Sequence, residues 1–203
     1  SIECLDLSNV NKIGEDALFE CEKLKVVTLN DNLEHLDAGI FYGCHALERI
    51  TFPSKLVSIG EACFNYSGLK EAVFNEGLKT IGADAFDRCE SLEKVVFPST
   101  LVTIGEYSFR NTGLTEVVLN EGLETIESGA FTDCDMLETV TFPSTLVSIG
   151  ANAFRDAGLN EVTLNEGLKT IGAGAFFDCH KKYPFIWFDF QIDKSRNIPS
   201  GIF

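Results

Sequence analysis

Methionine and tryptophan each occur once in 203 residues, histidine three times and proline five times. Histidine is scarce, and no Ser/His/Asp order, glycine-rich phosphate loop or paired-carboxylate signature is present. The sequence therefore offers no constellation for acid–base or nucleophilic catalysis, and a non-enzyme with no cofactor or bound metal is expected. Long apolar runs are missing too, since none approaches the ~18–20 residues of a transmembrane helix, so no transmembrane segment is expected. Basic residues are in deficit, with 16 Lys+Arg against 31 Asp+Glu for a formal net charge of -15. That balance opposes contact with phosphate backbones and excludes nucleic acid as the expected partner. Seven cysteines cannot all pair within one chain, so a complete disulfide framework is excluded. Met136 stands alone and no initiator or signal peptide is seen, so the chain is expected to be an excised or processed piece.

What remains is globular in composition, 45% hydrophobic and 23% charged, and it is periodic. Pro53, Pro98 and Pro143 lie 45 residues apart. Phe97-Pro98-Ser99-Thr100-Leu101-Val102-Thr103-Ile104-Gly105 recurs at Phe142 to Gly150 with one change, Thr103 to Ser148. Between these runs sits a related unit, Leu119-Asn120-Glu121-Gly122-Leu123-Glu124-Thr125-Ile126. Units open at Ile2, Leu24, Leu47, Leu69, Leu92, Leu114, Leu137 and Leu159, in alternating steps of 22 and 23 residues.

Numbered from that opening residue, positions 4 and 6 alternate with their neighbours, as in Val95 and Phe97, which predicts a short strand with one buried face. Gly at position 14 predicts a tight turn, and the Ala-Phe segment after it predicts a single helical or 3-10 turn. One such unit cannot bury its own apolar edge. Stacked units can, each strand pairing in parallel with the next at about 4.8 Å, so a solenoid follows.

The runs Leu78-Lys79-Thr80-Ile81-Gly82-Ala83-Asp84-Ala85-Phe86-Asp87-Arg88-Cys89 and Leu168 to Cys179 carry a family resemblance. They resemble leucine-rich repeats of the BspA-like subclass, and the resemblance covers residues 2–182. It implies an α/β repeat solenoid: a right-handed leucine-rich-repeat horseshoe with a concave parallel β-sheet and short helical or 3-10 turns on its convex side. It also implies a cell-surface or secreted location, with a role in adhesion. Residues 1–182 are thus expected to form one solenoid domain of eight rungs.

Position 18 reads Leu18, Phe41, Phe64, Phe86, Phe109, Phe131, Phe154 and Phe176, a ladder of rings suited to core stacking. Position 21 holds Cys21, Cys44, Cys89, Cys134 and Cys179, with Ser67, Thr112 and Ala157 in the same slot. Cysteines two rungs apart are about 10 Å from each other, beyond disulfide reach, and a ladder of that pitch cannot gather four zinc ligands. Buried thiols behaving as small hydrophobes are expected. His45 and His180 follow Cys44 and Cys179 but lie six rungs, about 29 Å, apart, too far to share a metal, and with His35 they are expected as lone surface residues.

Exposed positions 2, 3 and 5 supply the candidate binding surface. It comprises Lys25, Glu48, Arg49, Lys70, Glu71, Glu93 and Lys94 in the first rungs, then Glu116, Glu138 and Glu161. Charge is mixed at one end and acidic at the other. A protein or glycan partner is one reading of this face; solubility of an exposed sheet is the other. Glu76, Glu121 and Glu166, in the Asn-Glu-Gly turns, are expected to form a solvated acidic edge.

After Lys182 the repeat fails. Residues 183–203 are aromatic-rich, with Phe185, Trp187, Phe188 and Phe190 as a candidate cap or association segment. Three readings stay open: a degenerate ninth rung or cap, an exposed strand mediating self-association, or a remnant of cloning. The functional expectation is a non-catalytic protein- or glycan-binding module of a surface protein, with a rigid spacer between neighbouring domains as the alternative.

Overall fold

A computed structural model describes residues 2–179. The segment 183–203, with Phe185, Trp187, Phe188 and Phe190, lies outside the described residues, as does His180. Within them the repeat units wind into a parallel β-solenoid of about seven turns with three sides: a front that carries six strands, a second side of seven short strands and a turn side.

Thirteen strands occur in chain order among the described residues. They are β1 (Cys4–Leu7), β2 (Val26–Leu29), β3 (His35–Leu36), β4 (Ser58–Ile59), β5 (Glu71–Val73), β6 (Thr80–Ile81) and β7 (Lys94–Val96). Then come β8 (Thr103–Ile104), β9 (Glu116–Val118), β10 (Thr125–Ile126), β11 (Thr139–Thr141), β12 (Ser148–Ile149) and β13 (Thr170–Ile171). All pairings are parallel and in register, so like positions stack, as Ile81 on Ile104 and Thr125 on Ser148.

The continuous sheet is not the expected one. Seven strands, β3-β4-β6-β8-β10-β12-β13, run unbroken through the Thr-Ile segment where the sequence suggested only a turn. Position 14 follows directly, and where it is glycine it approaches the backbone of the rung before, Asp37 and Glu127 taking the position in two rungs. A Cβ on Gly105 would stand 2.6 Å from the carbonyl carbon of Gly82 in the rung before. Bare backbone here lets successive rungs close to sheet spacing. The front strands pair only two by two, β1 with β2, β5 with β7 and β9 with β11. A three-residue strand offers few ladder bonds, so modest splaying breaks it, while the other two sides stay bonded at nearly every step and hold the pitch.

No helix forms among the described residues, which corrects the expected helical or 3-10 turns. Positions 16 and 20 of each rung lie in the left-handed region, at Asp84 (φ 52) and Arg88 (φ 56) for example. That conformation ends a right-handed helix wherever it occurs. Alternate amides also point along the stack, not within the segment. The N–H groups of Asp84, Phe86 and Arg88 donate to the carbonyls of Glu106, Ser108 and Arg110 at 2.8, 2.7 and 2.8 Å. The intervening amides close tight turns, as Asp87 N–H to Asp84 O at 3.0 Å. Asn and Asp fill seven of the twelve non-glycine positive-φ sites, the residues that tolerate this region best.

Between these sides runs the phenylalanine spine. Phe41, Phe64, Phe86, Phe109, Phe131, Phe154 and Phe176 stack with centroids 5.0 to 5.5 Å apart and planes within 13° of parallel. Phe97 meets Phe109 edge-on at 5.5 Å and 87°, so the front ladder locks into the spine at right angles.

The 45-residue interval also has a structural cause. Asn-Glu-Gly and Pro-Ser-Thr turns alternate along one edge and interlock. Glu76 accepts the N–H of Ser99 at 3.2 Å and its hydroxyl at 3.0 Å, and Glu121 takes Ser144 in the same way at 3.0 and 2.9 Å. Thr100 accepts Gly77 N–H and donates to Leu78 O, both at 2.9 Å. Asn75 donates backward to Phe52 O at 2.8 Å. Glu76 and Glu121 are therefore inter-rung clamps, not a merely solvated edge.

Candidate functional site

The outward positions of the front strands are exposed because positions 4 and 6 turn inward to the core. Val95, for instance, is buried between exposed Lys94 and Val96. Bases on this face bridge to the rung before. Lys25 Nζ lies 2.9 Å from Glu3, Lys70 Nζ 2.7 Å from Glu48 and Lys94 Nζ 2.9 Å from Glu71. The hydrogen bond from each lysine, then its charge, holds Glu3, Glu48 and Glu71 below the usual carboxylate range. These pairs are exposed, so they order the face more than they stabilise it.

Arg49 makes no ion pair within 4 Å among the described residues, although its charge also lowers the Glu48 and Glu71 carboxyls. It belongs to the rung whose front segment pairs with neither β2 nor β5. An open cleft of about 810 Å³ lies there, reaching from Lys25 and Val26 past Arg49 and Thr51 to Glu71 and Val73. The fold thus gathers four candidate residues, Lys25, Glu48, Arg49 and Glu71, at one cleft. Lys70, Glu93 and Lys94 border it farther along, and Glu116, Glu138 and Glu161 lie beyond on the acidic half.

The sequence reading missed the turn face. Phe19 stacks on Tyr42 with centroids 4.7 Å apart and planes 8° from parallel, and Tyr42 meets Tyr66 at 5.9 Å. Arg88 covers Tyr66 at 5.4 Å and Arg110 covers Tyr107 at 4.8 Å. Arg110 also grips the buried carboxylate of Asp87 at 2.8 and 2.6 Å, and that hydrogen bond raises the guanidinium further. These side chains occupy positions 16, 19 and 20, so reading those columns down the repeat would have shown them. At least one face of each ring is covered by another ring or by arginine, and Phe19, at the end of the stack, remains 45% exposed.

The cysteine column holds free thiols. Cys89, Cys134 and Cys179 each donate to the carbonyl of the spine phenylalanine one rung back, at 3.0, 3.1 and 3.0 Å. Burial pushes Cys89 and Cys179 up to about 12 and Cys134 up to about 11. Among the described residues no group of three or more His, Cys, Asp or Glu could hold a metal ion, and no helix is long and apolar enough to cross a membrane. His35 Nδ1 sits 2.8 Å from the Ser58 hydroxyl.

Similarity to known proteins follows the repeat. The model of the BspA type leucine-rich repeat region matches residues 1–112 and 79–192, in six copies. A leucine-rich repeat protein from Bacteroides ovatus ATCC 8483 is 32% identical, with a TM-score of 0.83 over 88% of this chain and 47% of that one. The leucine-rich repeat protein of T. pallidum is also 32% identical, with a TM-score of 0.68 over 73% of this chain and 71% of that one. One from Eubacterium ventriosum ATCC 27560 is 25% identical, with a TM-score of 0.61 over 92% and 46%. The chain spans about half the length of the B. ovatus protein. No curated protein is detectably similar.

Proposed function

The chain belongs to the BspA-type leucine-rich repeat family, a family of binding or structural modules, and from that membership we propose that it is a non-catalytic binding module of a cell-surface or secreted protein, serving adhesion through its front face. The observation that carries this reading is the cleft at Arg49. There an unpaired guanidinium lies among exposed β-branched side chains at the break in the front ladder. A protein partner suits this chemistry better than a sugar, because the front offers aliphatic walls and a cation but no aromatic ring for stacking.

Capture of binding proteins on the immobilised chain, beside a glycan array, tests the proposal. Retention of a protein that is lost on combined reversal at Arg49, Lys94 and Glu116 is the expected result. Unchanged affinity in that triple variant overturns the front-face assignment. No retained partner of either class leaves the rigid-spacer reading in its place.

A further inference from the structure

The front face is charge-antisymmetric about one line, the junction between β5 and β7, where Glu71 faces Lys94 and Val73 faces Val96. Moving one rung outward on each side matches Arg49 with Glu116. At position 2 the same count matches Lys70 with Glu93 beside the junction and Lys25 with Glu138 two rungs out. No acid is matched with an acid and no base with a base at positions 2 and 3 of the eight rungs. At position 5 the exposed valines fall on three adjacent middle rungs, while Val26, 54% exposed, lies outside them. Val73, Val96 and Val118 are 48%, 41% and 52% exposed, and threonine takes the same position toward both ends. The valine stripe thus runs beside a central cluster of alternating charge, Lys70, Glu71, Glu93 and Lys94.

A patch complementary to its own rotated image is isologous, residue i meeting j while j meets i. We propose that the front face docks on the front face of a second copy of this chain, the two solenoids running antiparallel about a twofold axis along the β5–β7 junction. This deepens the front-face reading above and names its partner. Around the axis Glu71 and Lys94 of the two copies make a ring of four alternating charges, preserving the 2.9 Å bridge within each chain. Arg49, which has no ion pair of its own, gains Glu116 of the second copy. An acidic partner of other origin would find only the Lys- and Arg-bearing half complementary. A second copy satisfies both halves at once.

Eight front segments, six of them strands, at about 4.8 Å where they pair and three residues at about 3.3 Å give a patch of roughly 350 Å² per copy, or ~700 Å² in all. That size suits a weak association that grows with concentration and fades with salt.

Sedimentation velocity of the full chain over a concentration series, at low and high salt, reads this directly. A salt-sensitive monomer–dimer equilibrium is expected, weakened about tenfold or more by either Arg49→Glu or Glu116→Arg. Both residues are exposed, so the fold is retained, and circular dichroism checks it. An equimolar mixture of the two single variants should recover association, because every cross pair is then opposite in sign. The double variant should recover it as well. A chain monomeric at every concentration, an association that survives Arg49→Glu, or a mixture no stronger than its components overturns the proposal. Capture of a foreign protein at the front without self-association would sink this inference while leaving the binding-module reading intact.

Discussion

The carboxylate of Glu121 holds both the backbone N–H and the hydroxyl of Ser144, at 3.0 and 2.9 Å, across 23 residues of sequence. This fork, repeated at Glu76 with Ser99 and at Asp31 with Ser54, joins each acidic turn to the serine turn of the next rung.

Acid should loosen these clamps in a defined window. The Ser144 amide, then its hydroxyl, lowers the Glu121 carboxyl, and Ser54 does the same to Asp31. A depressed carboxyl contributes stability that is present above its unfolded value, about 4, and is lost as pH falls through the lower folded value. Thermal melts between pH 7 and pH 2 should show Tm falling below about pH 4, with Glu121→Gln less steep than the parent. Parallel curves for the two proteins would count against the clamp.

Glycine at position 14 should matter only where a rung lies beneath it. A Cβ on Gly105 would sit 2.6 Å from backbone, whereas a Cβ on Gly14, in the first rung, meets nothing within 4 Å. Gly105→Ala is expected to cost about 1–3 kcal/mol in urea unfolding. Gly14→Ala should be neutral or slightly stabilising. Equal effects at the two sites would show that local turn geometry, not close approach, selects the residue.

Thiol labelling should divide the cysteines by burial. Cys4 is exposed and Cys21 partly so, while Cys44, Cys63, Cys89, Cys134 and Cys179 are buried. Burial holds Cys44, Cys89 and Cys179 near 12, so thiolate is negligible at neutral pH. Iodoacetamide at pH 7.5 (a value at which ~10% of an ordinary thiol is ionised) should modify Cys4 and Cys21 in the native protein and the remainder only in denaturant. Mass spectrometry of peptides makes the comparison.

Much of this architecture was legible in the residues. The ring ladder at position 18 and the small-residue slot at position 21 repeat with one dominant side chain, and packing alone demands them. The continuous sheet was not, because β6 (Thr80–Ile81) and its companions are two residues long and show no alternation. The turn face misled for a different reason. Glycine, Asn and Asp hold most of the left-handed positions there, but Ala62, Tyr66, Arg88 and Tyr107 interrupt both columns, so no single unit announces the conformation. Of the front face, the charges were readable, but their cross-rung pairing, such as Lys70 with Glu48, needs the rung spacing to be known.

The interlocked turns also set how such a chain can lengthen or shorten. Remove one rung and two Asn-Glu-Gly turns become neighbours, so Glu76 would face a carboxylate where Ser99 now stands. Remove 45 residues and every acidic turn still meets a serine. The heritable module is therefore the pair, and viable relatives or engineered variants should differ in length by whole pairs of rungs.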